Sequence, residues 1–457
     1  MKTEWINKEL STVSLGDTRL DNRLKFIISS FSKTPTDSIP SSFDSWKETK
    51  GAYRFLSNES IKPADILKPH IESTKKRISV FDRVIQAQDT TEIEFTGHPS
   101  KEDAGHLRMG YQSGYLMHTG MAISEQGVPL GLISQSVWSR DPKDKGKKYR
   151  RKKLPIEQKE SNKWLIALNE SEEILTEIKE VITVADREAD IFDLFAKERK
   201  SNHHLLIRCA HNRRTNNEGK LLWDMAKSGI LLGRYKIEIS RPNKNPRIAI
   251  LTVRTEQVEL IAPQKYKGKT KKIKLYAILA TEGNPEGVEW LLLSTLPVNS
   301  YAEAKDFIRY YSYRWLIERY HFVLKSGCSV EELQLHTRSR LARALAIYSI
   351  VAWRLLWITY QARENPDMPC DDIFNESEWT FIHHKIHEND RYPPPLSVPT
   401  IKEAMIILAR MGGFLARKND GNPGVKALWT GLQKFNVIID SIAFMKKISS
   451  YQLMGKA

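Results

Sequence analysis

Apolar positions in the first 75 residues recur at helical spacing. Leu20, Leu24, Ile27, Ile28 and Phe31 line one side of a segment introduced by Thr18-x-x-Asp21, a capping-box pattern, and Arg19 and Arg23 share one face of it a turn apart. PSSFDSWKETKGAYRFLSNES predicts a second helix-turn-helix unit. From Val80 the texture changes to that of strands. VFDRVIQAQDTTEI runs as an apolar strand into Asp89, GYLMHTGMAIS and VPLGLISQSVW form a following pair, and EVITVADREADIFDLFAKE reads as strand, carboxylate and helix. LLIRCAH gives another strand. Between Asn212 and Thr295 the runs GRYKIEIS, RIAILTV, QVELIA, KLYAILA and EWLLLST set a block of strands between two α/β segments, which reads as an inserted β subdomain. Helical spacing returns from Glu303 to Trp357, DRYPPPLSVP from Asp390 reads as a linker, and TIKEAMIILARMGGFLARK and VKALWTGLQKF predict closing helices.

A chain of 457 residues predicts two or three domains at about 150 residues each. Its 40% hydrophobic and 28% charged residues exclude disordered and fibrous classes. The longest apolar run, Ala344 to Trp353, is bounded by Arg343 and Arg354 and falls short of the roughly 20 residues of a membrane span, so a core helix is expected there. The N-terminal segment lacks an apolar signal region, which places the protein in the cytoplasm with no membrane partner. Cys209, Cys328 and Cys370 show neither disulfide nor zinc spacing, so any metal must sit on oxygen ligands. The net charge of +16 points to a polyanion, nucleic acid first. It is clustered: nine basic residues and two acids lie between Arg140 and Lys153, and six lysines with no acid between Lys265 and Lys274. Solvated loops would account for one such run; two runs with a global excess favour phosphate contact.

Asp89 and Asp186 each follow an apolar strand, where a carboxylate is costly unless a metal or partner compensates it. Glu318 completes a set of hard oxygen ligands of the kind that two-metal phosphoryl chemistry uses. Glu188 and Asp190 compete with Asp186 but are expected on the following helix. In FIRYYSYRWLIERYHFVLKSG, Tyr311, Arg314, Glu318 and Lys325 are spaced 3, 4 and 7 apart. On a helix they fall within an arc of about 60°. That face can hold a metal and grip phosphates, although a surface helix with an Arg314–Glu318 ion pair carries the same residues.

The Tyr-x2-Arg-x3-Glu-x6-Lys spacing resembles the signature of DDE transposases of the IS-four family, in particular its Tn-five-like cut-and-paste members. LGDTRLDNRL, KGAYRFL, QDTTEI, ADREADIFDLF, EWLLLSTLPV, MGGFLARK and ALWTGLQ resemble strings that such proteins carry in the same order, over nearly the whole chain. The resemblance implies an α/β fold: a ribonuclease-H-like catalytic core with an inserted antiparallel β subdomain, flanked by helical N- and C-terminal domains. It divides the chain into a DNA-binding domain (1–75), a catalytic domain (76–365, insertion about 212–300) and a dimerisation domain (366–457). It also implies that Asp89, Asp186 and Glu318 bind two Mg²⁺ ions, with Mn²⁺ able to substitute, and catalyse nicking, hairpin formation, hairpin opening and strand transfer.

By the same resemblance Trp290 stacks on an extruded base, although by itself it also suits a strand core, and Tyr311 and Arg314 hold the displaced nucleotide's phosphate. Arg208, Lys325, Arg19 and Arg23 are further expected DNA contacts. Phe322 stands where Tn-five-like members can carry a lysine, so that contact is missing or moved. The implied partners are double-stranded transposon-end and target DNA and a second copy in a synaptic complex; Leu408, Met411, Phe414 and Leu415 offer an apolar face. The alternatives are a structure-selective metal-dependent nuclease of the same fold and a catalytically silent DNA-binding regulator.

Overall fold

A computed structural model describes residues 4–98, 100–141, 143, 154–216, 219–241, 244–266, 268–284, 287–418 and 420–454, with backbone alone at 238–241, 244–246 and 449–454. The chain opens with α1 (Glu4–Glu9), α2 (Thr18–Lys33), α3 (Trp46–Leu56) and α4 (Pro63–Ile78). Next come β1 (Arg83–Glu94), β2 (Gly105–His106), β3 (Ser113–Ile123), β4 (Pro129–Trp138), α5 (Asn162–Ile174), β5 (Glu180–Ala185), α6 (Phe192–Ala196), β6 (His203–Arg208) and α7 (Leu222–Ser228). Four long or buried strands follow: β7 (Ile230–Arg241), β8 (Lys244–Ile261), β9 (Lys272–Thr281) and β10 (Glu289–Ser294). Helices α8 (Tyr301–Ser312), α9 (Arg314–Phe322), α10 (Arg338–Glu364), α11 (Glu376–Ile386), α12 (Ile401–Met411) and α13 (Val425–Met454) complete the chain.

The apolar face predicted for α2 is in the core: Leu24, Ile27, Ile28 and Phe31 are fully buried. Its cap lies one residue earlier than Thr18. Gly16, with φ +83°, turns the chain so that the Asp17 carboxylate accepts from Arg19 N, while Asp21 reaches back to Leu15 N at 2.7 Å.

All described strands join one mixed sheet in the order β2-β3-β1-β5-β6-β10-β9-β8-β7, with β4 also paired to β3. β1, β5 and β6 are parallel; the strands on either side are antiparallel. The inserted strands are therefore not a detached subdomain. β10 returns antiparallel onto β6 with Leu292 opposite Arg208 and Leu293 opposite Ile207, so the insertion extends the edge of the central sheet. The period-two pattern explains why that edge is buried. Leu206 and Leu292 face one core, whereas Leu205, Ile207, Leu291 and Leu293 face a second one packed under α5, α6 and α7.

Helix α10 is the spine of the first core. It is long and apolar enough to cross a membrane, but its apolar window is enclosed by protein, as expected of a core helix. The two arginines bounding the run are buried too, and they dock the N-terminal helices. Arg343 donates to the carbonyls of Ile61 and Leu56 at 2.6 and 3.0 Å, capping the end of α3. The Arg354 guanidinium lies against Trp5 and Trp357 at 5.1 and 4.6 Å. Beside it, Glu9 of α1 accepts from His70 at 2.5 Å and pairs with Arg77 at 2.6 Å, both on α4. His70 Nε2 accepts from Leu132 N, and Arg77 donates to the Leu130 carbonyl, which ties α4 to β4. Between those two residues sits Gly131, where a Cβ would lie 1.9 Å from the Thr74 hydroxyl, so that approach requires glycine.

Candidate active site

The parallel register of β1 and β5 places the first two carboxylates. Ala87 pairs with Val184. Asp89 and Asp186 each lie two residues further on, so they emerge at the same end of adjacent strands. Asp89 stands opposite Thr119 of β3, and Asp186 caps the turn Arg187–Ala189 by accepting from Glu188 N at 2.8 Å. Asp186 is therefore held by the backbone, as its sequence competitors are held elsewhere. Asp190 is buried and consumed by Arg213 and by the amides of Ala210 and His211, and Glu188 pairs with Lys163 at 3.3 Å.

Glu318 arrives on α9, which packs on β1. Burial pushes the Asp89 carboxyl up to about 7, with the charges of Asp186 and Glu318 adding to it and Thr90 N–H and Arg314 opposing it. The carboxylates of Asp186 and Glu318 therefore act on Asp89. His321 sits three residues beyond Glu318, its Nδ1 3.8 Å from Asp89 Oδ2 and its Nε2 3.5 Å from Thr119 Oγ1. Burial and the Lys325 charge hold its pKa down to about 3, so it presents a neutral ring to Asp89. Sequence reasoning missed His321, although the i, i+3 spacing from Glu318 puts it on the same helix face.

The helix is not the single uninterrupted rod that a 60° arc assumes. It turns at Tyr313 and widens into a π-turn over Val323–Gly327. The β3–β4 turn anchors this break, since Tyr313 donates to the Glu125 carbonyl at 2.9 Å and Tyr310 to the Glu125 carboxylate at 2.8 Å. Arg314 reaches Glu318 at 2.5 Å. Tyr311 is buried, with the Arg314 guanidinium 6.0 Å from its ring and the half-buried Trp290 edge-on at 5.4 Å. Trp290, Tyr311, Arg314 and Glu318 thus form one continuous row from β10 to the carboxylates. Lys325, displaced by the π-turn, donates to the Glu92 carbonyl and pairs with Glu331, both at 2.9 Å. Arg208 donates to the carbonyl of Glu289, next to Trp290.

Other expected contacts stand apart from this row. Arg19 is bound to Asp17 on an exposed helix end, and Arg23 lies over Phe26. Arg140, read as the start of a phosphate-binding run, is locked by Glu160 at 2.7 Å and Glu92 at 3.6 Å. Residues 144–153 of that run lie outside the described residues. In the second run Lys272 pairs with Glu259 at 3.4 Å, whereas Lys265 and Lys269 are exposed. Phe322 packs on Trp429 of α13 at 5.5 Å. Leu408, expected on an interface, is buried against the chain's own core; among the described residues the exposed large apolar ones at this end include Leu415 and, on α13, Val437, Ile438, Ile442, Phe444 and Met445.

Three carboxylates with hard oxygen donors suit a divalent cation, which would also favour the ionised form of the desolvated Asp89. Among the described residues, however, no group of three His, Cys, Asp or Glu is gathered closely enough to hold an ion. The donor chemistry fits, and Glu318 is paired with Arg314.

Family models match the chain in three consecutive stretches: transposase DNA-binding over residues 2–61, transposase DDE domain over 157–354, and transposase Tn5 dimerisation domain over 350–452. Asp186 and Glu318 fall inside the DDE match, and Asp89 precedes it. These matches define a DNA transposase, an enzyme class that cuts and joins DNA with divalent metal ions, binds DNA and forms a homodimer. The chain belongs to the Tn5-like DDE transposases.

Proposed function

We propose that this transposase works by excision and reinsertion in the cytoplasm, with Asp89, Asp186 and Glu318 as its catalytic carboxylates. The enzyme binds transposon-end duplex, nicks one strand, and directs the freed 3′-hydroxyl onto the opposite strand to form a hairpin. It then reopens the hairpin and joins the 3′ ends to target DNA. Each step is an in-line displacement at phosphorus, in which the entering oxygen loses its proton as it bonds and the leaving oxygen departs with the electron pair. One site can therefore serve all of them. The observation that carries this reading is the electrostatic influence of Asp186 and Glu318 on Asp89, beside the row Trp290, Tyr311 and Arg314.

Each residue has a task. Trp290, half-buried and supported edge-on by Tyr311, offers a face for a base extruded as the strand bends into a hairpin. Arg314 grips a phosphate beside it through its fork, and Lys325 and Arg208 add charge along the strand. Two Mg²⁺ ions, for which Mn²⁺ can substitute, would be held by Asp89, Asp186 and Glu318 and would supply Lewis acidity at the entering and leaving oxygens. The order β4-β3-β1-β5-β6, antiparallel then parallel, with Asp89 on β1 and Asp186 after β5, supports a ribonuclease-H-like core over 76–365. Residues 1–75, with Arg19 and Arg23, would bind the end. Residues 366–457 would pair two copies across two ends.

The test is recovery of the DNA ends this chain binds, followed by cleavage with Mg²⁺ and joining of a pre-cut end to target. Metal-dependent cutting without joining would indicate a nuclease of the same fold. End binding with neither activity would indicate a regulator.

A further inference from the structure

The site already contains a cation. Arg314 lies on Glu318 at 2.5 Å, with side chains 18% and 35% exposed, so this charge-assisted contact is only partly screened by water. Its charge also acts on Asp89, opposing the two neighbouring carboxylates. Arg314 thus serves as the counter-ion of the carboxylate set, and a divalent cation entering the same space would meet both its positive charge and an occupied Glu318.

We infer that Arg314 is a lock on the metal site: without DNA it holds the carboxylate that a divalent cation needs, and a DNA phosphate frees Glu318 by taking the guanidinium. The inference rests on the proposed site and adds an order of assembly to it. Three features make the exchange feasible. The guanidinium is bound to Glu318 through Nη1, while Nε is buried and meets no acceptor among the described residues. A phosphate offers two oxygens to one face of the fork, which a single carboxylate oxygen does not. The row Trp290–Tyr311 brings a nucleotide to the place where Arg314 can reach its phosphate without leaving the helix face.

Metal and DNA are then coupled through one side chain, and the coupling is reciprocal: DNA tightens metal binding by the factor by which metal tightens DNA binding. The full chain gains metal affinity where DNA is bound and is poor in metal elsewhere, which keeps an indiscriminate phosphodiester-cutting site silent between substrates. No bond is made or broken in the switch; one ion pair replaces another.

Calorimetric titration of the DNA-free full chain with Mn²⁺ tests this without any reaction. Arg314→Gln is expected to bind Mn²⁺ about 10- to 100-fold more tightly than the unaltered chain, the usual range of such couplings, and Arg314→Gln/Glu318→Gln to lose that gain. If the unaltered chain already binds tightly and Glu318→Gln weakens it, the lock is overturned and the site assignment stands. If Mn²⁺ binding ignores Glu318 in every background, the site assignment fails and the lock with it. Should Arg314→Gln melt at a much lower temperature, the unaltered chain titrated with and without a short duplex gives the same decision. A comparable rise in Mn²⁺ affinity supports the lock, and an unchanged affinity overturns it.

Discussion

Glu9 and Asp89 are both carboxylates taken out of water, and their surroundings treat them oppositely. At the junction of α1, α4 and β4, burial alone would raise Glu9, but His70 and Arg77 outweigh it and hold the carboxyl down to about 2. At the end of β1, burial raises Asp89 to about 7, the neighbouring carboxylates add to the rise, and Arg314 offsets it only in part. The first cluster is complete within the chain: His70 and Arg77 are satisfied on both sides, by Glu9 and by the backbone of β4. In the second, Arg314 pairs with Glu318 and offsets the rise of Asp89 only in part. Partners within the chain set the direction of the Glu9 shift, whereas burial is the largest cause of the Asp89 shift.

The comparison is broken most directly at Asp89. Asp89→Asn, Asp186→Asn and Glu318→Gln are each expected to slow cleavage of a recovered DNA end by at least about a thousandfold. Asp89→Asn should do so while melting no lower than the unaltered chain, because it removes a desolvated negative charge. A cleavage time course paired with a thermal melt checks both. Normal cleavage by Glu318→Gln would remove Glu318 from the site.

Glu9 should behave the other way round. Arg77→Met leaves Glu9 buried without its main counter-ion and opens the contacts to Leu130 and Trp353. Breaking a buried pair in this manner costs about 3 to 5 kcal/mol. The loss should appear in denaturant unfolding, with Mn²⁺ affinity at the distant carboxylates unchanged.

The two clusters also differed in how far they could be read from sequence. Asp89 and Asp186 were legible because a carboxylate after an apolar strand is a local pattern, and the β1–β5 register that brings them together follows from the strands themselves. Glu318 was legible from its spacing to Arg314, and the α10 core helix from its apolar run. Glu9, His70 and Arg77 were not legible: their partners lie 61 and 68 residues away in sequence, and nothing near Glu9 marks it as buried. For the same reason Arg140 read as a phosphate contact, since Glu160 is 20 residues distant and Glu92 reaches it through the sheet. Lys325 lies in a π-turn and is held by the Glu92 carbonyl and by Glu331, which helical periodicity does not report.

Acid should separate the clusters by sign. The folded-state pKa of Glu9 lies below the ordinary value, so its contribution is fully present above the unfolded value of 4.5 and is lost as pH falls toward about 2. Across that window stability should drop by about 3 kcal/mol. His70, whose pKa burial lowers despite Glu9, must also give up the bond from Leu132 N to Nε2 once it is protonated there. Glu9→Gln should flatten the acid limb of melting temperature against pH, and an unchanged limb would show that Glu9 is not held down as described.

The smallest expected effect concerns the surface charge, where the same distinction between committed and available groups recurs. Lys272 is paired with Glu259 and bonded to Asn216, whereas Lys265 and Lys269 stand exposed in the same run. If exposed lysines neutralise phosphates, Lys265→Gln/Lys269→Gln should reduce the slope of log affinity against log salt by about 0.9 for each phosphate left without its lysine. Lys272→Gln, whose charge is already balanced within the chain, should change the slope less. Equal slopes for the two variants would mean that pairing within the chain does not decide which lysines meet DNA, and Arg140, locked by Glu160, would then return as a candidate for phosphate binding.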